Sequence, residues 1–292
     1  MKTVVITGSA RGLGFEMAKL FKQNNLNVVI SDLNLEALEK TKSIIEKINS
    51  DSKVECCVCN VTKSQDILNL IEFAKEKFGA VDIWINNAGV NQPDKPIWEL
   101  TEQEIDLILA VDLKGAVMGS KLVMEEMAKN HAGAIYNLEG YGSNDAMMCG
   151  LTMYGTSKRA MTYFTQALAK ESEEKNTGVI VGRLSPGIMI TDFIKNALGD
   201  KEKIQLPEKT KKVYNILGDY PDVVAKFLVE EMLKNTKNNA HIEWLTTAKA
   251  AFRFMTAGFN KRDFFKENKL IKCIDKLNIF NKCENNGFKL NK

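Results

Sequence analysis

The chain opens with an apolar run that leads directly into a glycine-rich stretch, Val4-Val5-Ile6-Thr7-Gly8-Ser9-Ala10-Arg11-Gly12-Leu13-Gly14. The run has the composition of a buried strand, and a helical pattern of apolar residues starts near Leu13. Glycines at such a strand-to-helix turn let the backbone approach a phosphate without a Cβ in the way. The helix N-terminus adds free N–H groups and a partial positive charge. The residues predicted to line a nucleotide site here are Gly8, Ser9, Arg11, Gly12, Leu13 and Gly14.

Apolar runs of strand length alternate with helical patterns over the first 240 residues. The runs are short, nearly continuous and rich in Val and Ile, as in parallel strands that are covered on both faces. This alternation predicts an α/β Rossmann fold, a doubly wound parallel β-sheet with helices on both faces. The predicted strands are Val4–Thr7, Val28–Ser31, Val54–Cys59, Ile83–Asn86, Ala134–Leu138 and Val179–Leu184. The predicted helices lie at about 13–24, 34–49, 64–78, 101–129, 154–175 and 221–235.

Residues 241–292 are predicted to form a basic, amphipathic helical extension behind the domain of residues 1–240. Apolar residues from Ile242 to Phe259 recur at helical spacing, with basic residues between them. A second apolar stripe, from Leu270 to Phe280, is flanked by Lys. Two interpretations stay open: the extension covers the domain or a partner subunit, or it contacts a membrane surface or a lipid substrate.

Composition limits the classes of function that fit the chain. With 292 residues and a formal net charge of +3, it shows no broad surface for a polyanion, and we predict no nucleic-acid binding. Because Met1-Lys2-Thr3 runs straight into the first strand, we expect no signal peptide and a cytoplasmic protein with reduced thiols. The cluster Cys56-Cys57-Val58-Cys59 lacks a second ligand pair at zinc-site spacing, so we assign it to a strand and predict no metal site.

The second predicted strand ends at Asp32, where the adenosine ribose of a dinucleotide would lie. A carboxylate there accepts hydrogen bonds from the ribose hydroxyls and repels a 2′-phosphate, which favours NAD. Arg11 favours NADP instead, because a cation in the glycine loop can pair with a 2′-phosphate. We expect NAD as the cofactor and keep NADP as the alternative.

Four segments, in order, resemble the motifs of the short-chain dehydrogenase/reductase (SDR) family. The glycines have the spacing Gly8-x-x-x-Gly12-x-Gly14, and Asn86-Asn87-Ala88-Gly89 follows the fourth predicted strand. Tyr154-Gly155-Thr156-Ser157-Lys158 is similar to the family's Tyr-x-x-x-Lys motif, and Ser185-Pro186-Gly187 with Thr191 is similar to its Pro-Gly segment. The resemblance implies an NAD(P)-dependent oxidoreductase that interconverts an alcohol and a carbonyl compound.

The resemblance also implies cofactor contacts outside the glycine loop. Asn60-Val61 would lie beside the adenine, although the family usually has Asp where Asn60 stands. Asn87-Ala88-Gly89 would shape the adenosine side of the pocket. Pro186-Gly187 and Thr191 would contact the nicotinamide half.

Tyr154 and Lys158 are four residues apart, so on a helix they share one face. A free tyrosine has a pKa near ~10, too high for a good base at neutral pH. A nearby ammonium group favours the phenolate and lowers that pKa, as an oxidised nicotinamide ring also does. Tyr154 is therefore predicted to take the proton of an alcohol or, in reverse, to protonate a carbonyl oxygen. Lys158 is also expected to bond the nicotinamide ribose.

Two positions depart from the family pattern. Gly140 stands where the family has a serine that polarises the carbonyl oxygen, and Ser143 is the predicted substitute, with Tyr141 as a second candidate. Asp112 stands where the family has an asparagine of a proton relay. An acid there could hold the relay water and lower the charge around Lys158, or it could mark a weakened active site.

A narrower resemblance concerns the segment 137–143, Asn-Leu-Glu-Gly-Tyr-Gly-Ser, which is similar to the matching segment of plant chlorophyll b reductases. It implies a bulky carbonyl substrate rather than chlorophyll itself. Glu139 within it is interpreted as an acid that faces water at the mouth of the substrate cleft. The segment 193–220 is expected to form an apolar substrate lid. Family membership implies a homo-oligomer, and the alternative to an enzyme is a catalytically weak NAD(P)-binding sensor or scaffold.

Overall fold

A computed structural model describes residues 1–189, 208–259 and 262–265 of the chain. Most of the predicted substrate lid, the second apolar stripe of the C-terminal extension and Thr191 lie outside these residues.

The sheet contains seven strands, and helices flank it on both faces. The strands are β1 Thr3–Thr7, β2 Asn27–Asp32, β3 Val54–Val58, β4 Ile83–Asn86, β5 Gly133–Leu138, β6 Val179–Ser185 and β7 Ala240–Glu243. The α-helices are α1 Gly12–Gln23, α2 Leu35–Glu46, α3 Ser64–Phe78, α4 Glu102–Ile108, α5 Ala116–Met127, α6 Thr152–Glu174, α7 Glu208–Leu217, α8 Pro221–Lys234 and α9 Thr247–Thr256. All neighbouring strands are parallel, in the order β3-β2-β1-β4-β5-β6-β7, which confirms the predicted doubly wound Rossmann fold.

Alternate residues of the central strands enter two separate core layers. Val4 and Ile6 pack in one layer with α1 and α8, whereas Val5 and Trp84 pack in the other with α3 and α5. All four side chains are fully buried. A strand that buries both faces needs apolar residues at every position, which explains the continuous apolar runs in the sequence.

A buried polar network joins β4 and β5 to the helices beside them. The Asn86 side-chain amide donates to Asn137 Oδ1 at 2.7 Å and to Ser120 Oγ at 2.9 Å, and Trp84 Nε1 donates to Asn86 Oδ1 at 2.7 Å. Asn137 Nδ2 in turn donates to Thr165 Oγ1 at 2.9 Å. Because each buried amide has partners, the network fixes the end of β4 and hence the start of the segment that follows it.

The single helix predicted over 101–129 is wrong in one respect. A π-helical turn, Leu109–Gly115, separates α4 from α5. Asp112 lies in this wider turn and is buried, with only 2% of its surface exposed. Insertions of this kind are frequent at functional sites, and 3.6-residue periodicity does not reveal them.

The prediction that Ile242 begins a helical stripe is also wrong. Ala240–Glu243 form β7, in which Ile242 pairs with Leu184 of β6 and is buried. Helix α9 begins only at Thr247, where the Thr246 side chain accepts from the Lys249 N–H at 3.2 Å. The boundary between the two predicted domains stays a prediction.

Asp219 fastens α9 to the sheet domain. Its Oδ2 accepts from Arg253 at 2.6 Å and from Trp244 Nε1 at 2.7 Å, and its Oδ1 accepts from Arg262 at 3.1 Å. Lys249 Nζ lies 2.8 Å from the centroid of the Trp244 ring, a cation–π contact. Both basic side chains of α9 therefore point toward the domain.

Apolar side chains cover the outer face of α9 and the turn that follows it. Phe252, Met255 and Phe259 are 60%, 73% and 93% exposed. No described helix is long and apolar enough to cross a membrane. Contact of the extension with a membrane surface or a partner subunit stays a prediction.

Candidate active site

The glycine loop between β1 and α1 packs tightly against the loop that follows β4. Gly8 has φ +62°, and a Cβ there would lie 2.6 Å from the Cα of Ala88. Asn87 Nδ2 donates to the carbonyl oxygens of Thr7 and Gly8, each at 2.8 Å. Thr7 Oγ1 accepts from the backbone N–H groups of Asn87 and Ala88, each at 3.1 Å. The two predicted nucleotide-binding segments are therefore one structural unit.

The start of α1 fits a pyrophosphate group. Gly12 has φ +60° and a Cβ on it would meet nothing within 4 Å, so the backbone conformation alone requires glycine there. A Cβ on Gly14 would lie 2.6 Å from Asn87 Nδ2. Arg11 is the N-cap residue, and no described side chain caps the helix. The first-turn N–H groups are thus left for an anion, with Leu13 contributing only backbone because its side chain is buried.

Ser9 and Asp32 hold the glycine loop against β2. Ser9 Oγ is buried, donates to the Ile6 carbonyl at 2.7 Å and accepts from the Ser31 N–H at 2.9 Å, so its hydroxyl serves the loop itself. Asp32 is half-buried, and its carboxylate accepts from the N–H groups of Ala10 at 3.2 Å and Leu33 at 2.8 Å. Arg11 is exposed beside them.

Asn60-Val61 lies at the carboxyl end of β3, on the same edge of the sheet. Asn60 Oδ1 accepts from both the N–H and the hydroxyl of Thr62, and the Asn60 N–H donates to Asp66 at 3.0 Å. A Cβ on Gly115 would lie 3.0 Å from Val61 Cγ2. Val61 is therefore in contact with the π-helical turn that carries Asp112.

Tyr154, Lys158 and Asp112 meet in the interior beside the loop that follows β4. They are 8%, 5% and 2% exposed, respectively. Lys158 Nζ lies 3.5 Å from Asp112 Oδ2 and 5.4 Å from the centroid of the Tyr154 ring. Asp112 Oδ1 accepts from the Val90 N–H at 2.7 Å. A Cβ on Gly89 would lie 3.7 Å from Lys158 Nζ, so the ammonium group adjoins the loop after β4.

Burial raises the pKa of the Tyr154 hydroxyl; Lys158 lowers it and Asp112 raises it, and the pKa lies above its ordinary value. Burial also raises the pKa of Asp112, while Lys158 and the Val90 N–H lower it. Burial lowers the pKa of Lys158, but the negative charge of Asp112 and the tyrosine raise it by more, so the pKa lies above its ordinary value. Lys158 acts on Tyr154 in the predicted sense, yet burial and Asp112 outweigh it, so the net shift of the Tyr154 pKa is upward and not downward as predicted.

Gly140 faces the hydroxyl of Tyr154. A Cβ built on Gly140 would overlap that oxygen and would lie 3.0 Å from Cζ of the ring. Ser143 follows in a turn, where its N–H donates to the Gly140 carbonyl at 3.2 Å and its carbonyl accepts from Arg159 at 2.9 Å. The Tyr141 hydroxyl donates to the Met147 carbonyl at 3.0 Å and so holds the loop. Ser143 as the carbonyl-polarising group stays a prediction.

Glu139 does not face water, so that interpretation was wrong. Its side chain is 2% exposed and accepts from Thr162 Oγ1 at 2.7 Å and from the Ser185 hydroxyl. His241 Nε2 lies 3.2 Å from Oε2, and Arg183 lies 3.5 Å from Oε1. These contacts and the positive charge outweigh burial and lower the pKa of Glu139 to about 2. The carboxylate therefore ties α6, β6 and β7 together directly behind Gly140.

Pro186 and Gly187 continue from the end of β6 beside this network. Pro186 is buried, and Gly187 has φ +71°. A Cβ on Gly187 would lie 2.6 Å from Cβ of Leu245, which belongs to the segment between β7 and α9. Thr191, the last predicted contact of this segment, lies outside the described residues.

One residue at the site has no counterpart among the predicted ones. Gln92 is fully buried, and its side-chain oxygen accepts from the N–H groups of Met153 and Tyr154. A lone glutamine in a loop carries no local signal of such a contact, which spans about sixty positions of the sequence.

The four cysteine thiols of the described part of the chain are free. Cys56 and Cys57 lie in β3 as predicted, and Cys59 follows it, buried, with its pKa raised to about 12 by burial. Within the described ranges, no group of three or more His, Cys, Asp or Glu side chains could hold a metal ion.

Comparison with known proteins places this arrangement in a family. The family model for short chain dehydrogenases matches residues 2–202. The chain therefore belongs to the short-chain dehydrogenase/reductase family.

Two relatives are informative. A probable chlorophyll(ide) b reductase of Arabidopsis thaliana, a chloroplastic protein, is 29% identical over 282 residues, which is 91% of this chain and 55% of that protein. An uncharacterized oxidoreductase of Mycobacterium bovis is 32% identical over 209 residues, 70% of this chain and 82% of the relative. The chain thus spans about half the length of the plant relative.

Solved structures share the fold. Levodione reductase superposes with a TM-score of 0.75 at 22% identity, covering 86% of this chain and 98% of that one. A 7α-hydroxysteroid dehydrogenase in complex with NADH and 7-oxo glycochenodeoxycholic acid superposes with a TM-score of 0.73 at 25% identity, covering 84% of this chain and 92% of that one.

The overlap at Gly140 predicts the effect of restoring the family's serine. Because a Cβ at this position would displace the Tyr154 hydroxyl, we expect Gly140→Ser to lower kcat for carbonyl reduction by tenfold or more, since ~1 Å of misplacement can cost about a hundredfold. Gly155→Ser is the control, since a Cβ there meets only ordinary contacts. A Gly140→Ser variant that is faster than the wild type would show that the tyrosine has room for the serine.

The Glu139 network predicts a loss of stability in acid. Because the pKa of Glu139 is lowered to about 2 from 4.5, its contribution is present above about pH 4.5 and is lost as the pH falls toward 2. We expect Glu139→Gln to lower the free energy of unfolding at pH 7 by on the order of 3 kcal/mol, a difference that shrinks on acidification. Urea unfolding from pH 7 to pH 3 measures it. Glu126→Gln, which breaks only surface ion pairs with Lys75 and Lys129, is the control and should change little.

Proposed function

We propose that the protein reduces a bulky, apolar carbonyl compound with a nicotinamide cofactor and that Tyr154 is the general acid. The observation that carries this proposal is the buried cluster of Tyr154, Lys158 and Asp112 at the edge of the nucleotide-binding loops. A buried phenol beside an ammonium group can give its proton to a carbonyl oxygen without competition from bulk water.

The charges around Tyr154 favour the direction of reduction. Asp112 offsets the positive charge of Lys158, and together with burial it holds the pKa of the phenol above its ordinary value, which disfavours the phenolate. A protonated tyrosine is the form that carbonyl reduction consumes, whereas alcohol oxidation needs the phenolate. Lys158 then stabilises the phenolate that remains after the proton has left.

The loops at this edge would hold the cofactor. The cradle of Gly8, Gly12 and Gly14 and the uncapped start of α1 fit its pyrophosphate, and Asp32 fits a ribose without a 2′-phosphate. When bound, the cofactor supplies the hydride. Two solved structures that share the fold contain a nicotinamide cofactor, NADP in one and NADH in the other.

A bulky substrate is supported by the surface beside the site and by the relatives. Met147 and Met148, in the segment between Gly140 and α6, are 91% and 55% exposed, and Trp98, in a 3-10 turn between β4 and α4, is 81% exposed. Flexible thioethers and an indole can adapt to a large apolar ring system. Of the proteins named above, one is a probable chlorophyll(ide) b reductase, and another is in complex with 7-oxo glycochenodeoxycholic acid.

Tyr154→Phe tests the proposal. We expect this variant to bind NADH as the wild type does but to lose at least about a hundredfold in kcat, because general acid catalysis contributes about 10²–10⁴-fold. NADH fluorescence titration measures binding, and NADH oxidation with 4-nitrobenzaldehyde, a 7-oxo bile acid and chlorophyllide b measures turnover. Tyr163→Phe, which removes an exposed hydroxyl from the same helix, should retain full activity.

Two outcomes of this experiment contradict the proposal. Undiminished turnover by Tyr154→Phe would assign proton transfer to another group. Tight NADH binding by the wild type with no turnover of any carbonyl would favour the NAD(P)-binding sensor, for which the replacements at Gly140 and Asp112 are the supporting observations.

Asp32 predicts the choice of dinucleotide. We expect the wild type to bind NADH at least tenfold more tightly than NADPH, because the Asp32 carboxylate would repel a 2′-phosphate. Asp32→Ser should reverse much of this preference, since a charged hydrogen bond contributes about 1.5–3 kcal/mol. Fluorescence titration with both nucleotides measures the ratio, and Asp51→Asn, at an exposed acid before β3, should leave it unchanged. Tighter NADPH binding by the wild type would assign the dominant role to Arg11.

A further inference from the structure

Gln92 provides the cap of the helix that carries Tyr154 and Lys158. Helix α6 begins after Leu151, whose side chain makes no capping hydrogen bond. Gln92 Oε1 instead accepts from the N–H of Met153 at 2.7 Å and from the N–H of Tyr154 at 3.3 Å. First-turn N–H groups have no partner within their own helix, so these bonds satisfy donors that would otherwise be buried without one.

The glutamine is itself held in one orientation. Its Nε2 donates to the Lys95 carbonyl at 3.1 Å, and its own N–H donates to Asn91 Oδ1 at 2.9 Å. The side chain is 0% exposed. Since only the oxygen can accept from the α6 N–H groups and only the nitrogen can donate to Lys95, the amide fits in one way.

Gln92 belongs to the loop that also contacts Asp112 and the glycine loop. Three successive parts of this loop make separate contacts: Asn87 with Gly8, Val90 with Asp112, and Gln92 with Tyr154. The backbone of one short loop thus sets the distance between the nucleotide-binding turn and both sides of the buried cluster.

We propose that Gln92 is a positioning residue that fixes Tyr154 relative to the nucleotide-binding loop. The inference rests on the proposed function, since it assigns to Gln92 the placement of the proposed acid. A neutral amide suits the role, because the groups that face the phenol already include Lys158 from α6 and Asp112 from the π-helical turn, with Glu139 behind Gly140. A carboxylate at position 92 would add another negative charge at the tyrosine.

Two variants separate positioning from simple stabilisation. Gln92→Met keeps the volume but removes both polar atoms, and we expect kcat to fall at least about tenfold while the dissociation constant for NADH is unchanged. Gln92→Glu keeps an acceptor for the helix N–H groups. At alkaline pH, where even a buried carboxyl group is ionised, its added charge should raise the pKa of Tyr154 and move the alkaline limb of the reduction pH profile upward by about 0.5 to 1 pH unit.

Asn238→Ala is the matched control. Its side-chain amide also makes two partly buried hydrogen bonds: it donates to the Ala169 carbonyl at 2.7 Å and accepts from the Val181 N–H at 3.0 Å. It binds the same helix α6, but about four turns away from Tyr154. We expect this variant to lose stability while its kcat stays within twofold of the wild type.

The inference is overturned if kcat of Gln92→Met stays within twofold of the wild type, if Asn238→Ala lowers kcat by the same factor, or if Gln92→Glu leaves the alkaline limb in place. Should Gln92→Met fail to fold, the pH profile of Gln92→Glu decides alone. The substrate in these assays is whichever compound of the carbonyl panel the wild type reduces fastest.

Amide hydrogen exchange keeps the two proposals distinguishable. If the wild type reduces none of the carbonyl compounds, the proposed function fails, but the placement of α6 is still measurable. Gln92→Met should then speed exchange at the Met153 and Tyr154 amides, and Asn238→Ala should not. Unchanged protection at both amides would overturn the role of Gln92 independently of any activity.

Discussion

The close approach of Gly8 to Ala88 is the constraint on which the site depends. Two loops from neighbouring strands can touch backbone to backbone only because position 8 has no Cβ, and the Asn87 amide then fastens them. The loop that leaves this contact runs on to reach Asp112 and α6. One covalently continuous loop after β4 therefore contacts both the glycine loop and the helix that carries Tyr154, and it fixes their separation.

The second constraint is electrostatic. Lys158 and Asp112 are buried together, and isolating either charge in the interior would be costly. Their pairing leaves the surroundings of Tyr154 close to neutral, unlike a site in which the lysine stands alone. The replacement at Asp112 and the absence of a Cβ at Gly140 therefore act on the same group, one through its proton affinity and the other through the space its hydroxyl occupies.

Local signals in the sequence were sufficient for six of the seven strands and for the glycine loop. Continuous apolar runs marked six strands, since parallel strands bury both faces, and glycines marked positions where a Cβ would collide or where φ is positive. The seventh strand was missed because Ile242 is one buried residue in a short, polar run. The π-helical turn, the burial of Glu139 and the cap by Gln92 depend on partners far along the chain, and no local periodicity reports such contacts. The catalytic and cofactor roles of the named residues rest on family resemblance and stay predictions.

Helix α9 shows that a count of charged residues can misstate the character of a surface. Lys249 and Arg253 add to the formal charge of the C-terminal extension, yet both are engaged inward with Trp244 and Asp219. What α9 presents outward is uncharged and aromatic. An association made through that face would have no counterions to release, so added salt would strengthen it or leave it unchanged. Association through a basic helix would instead be weakened by added salt, because salt screens the charges.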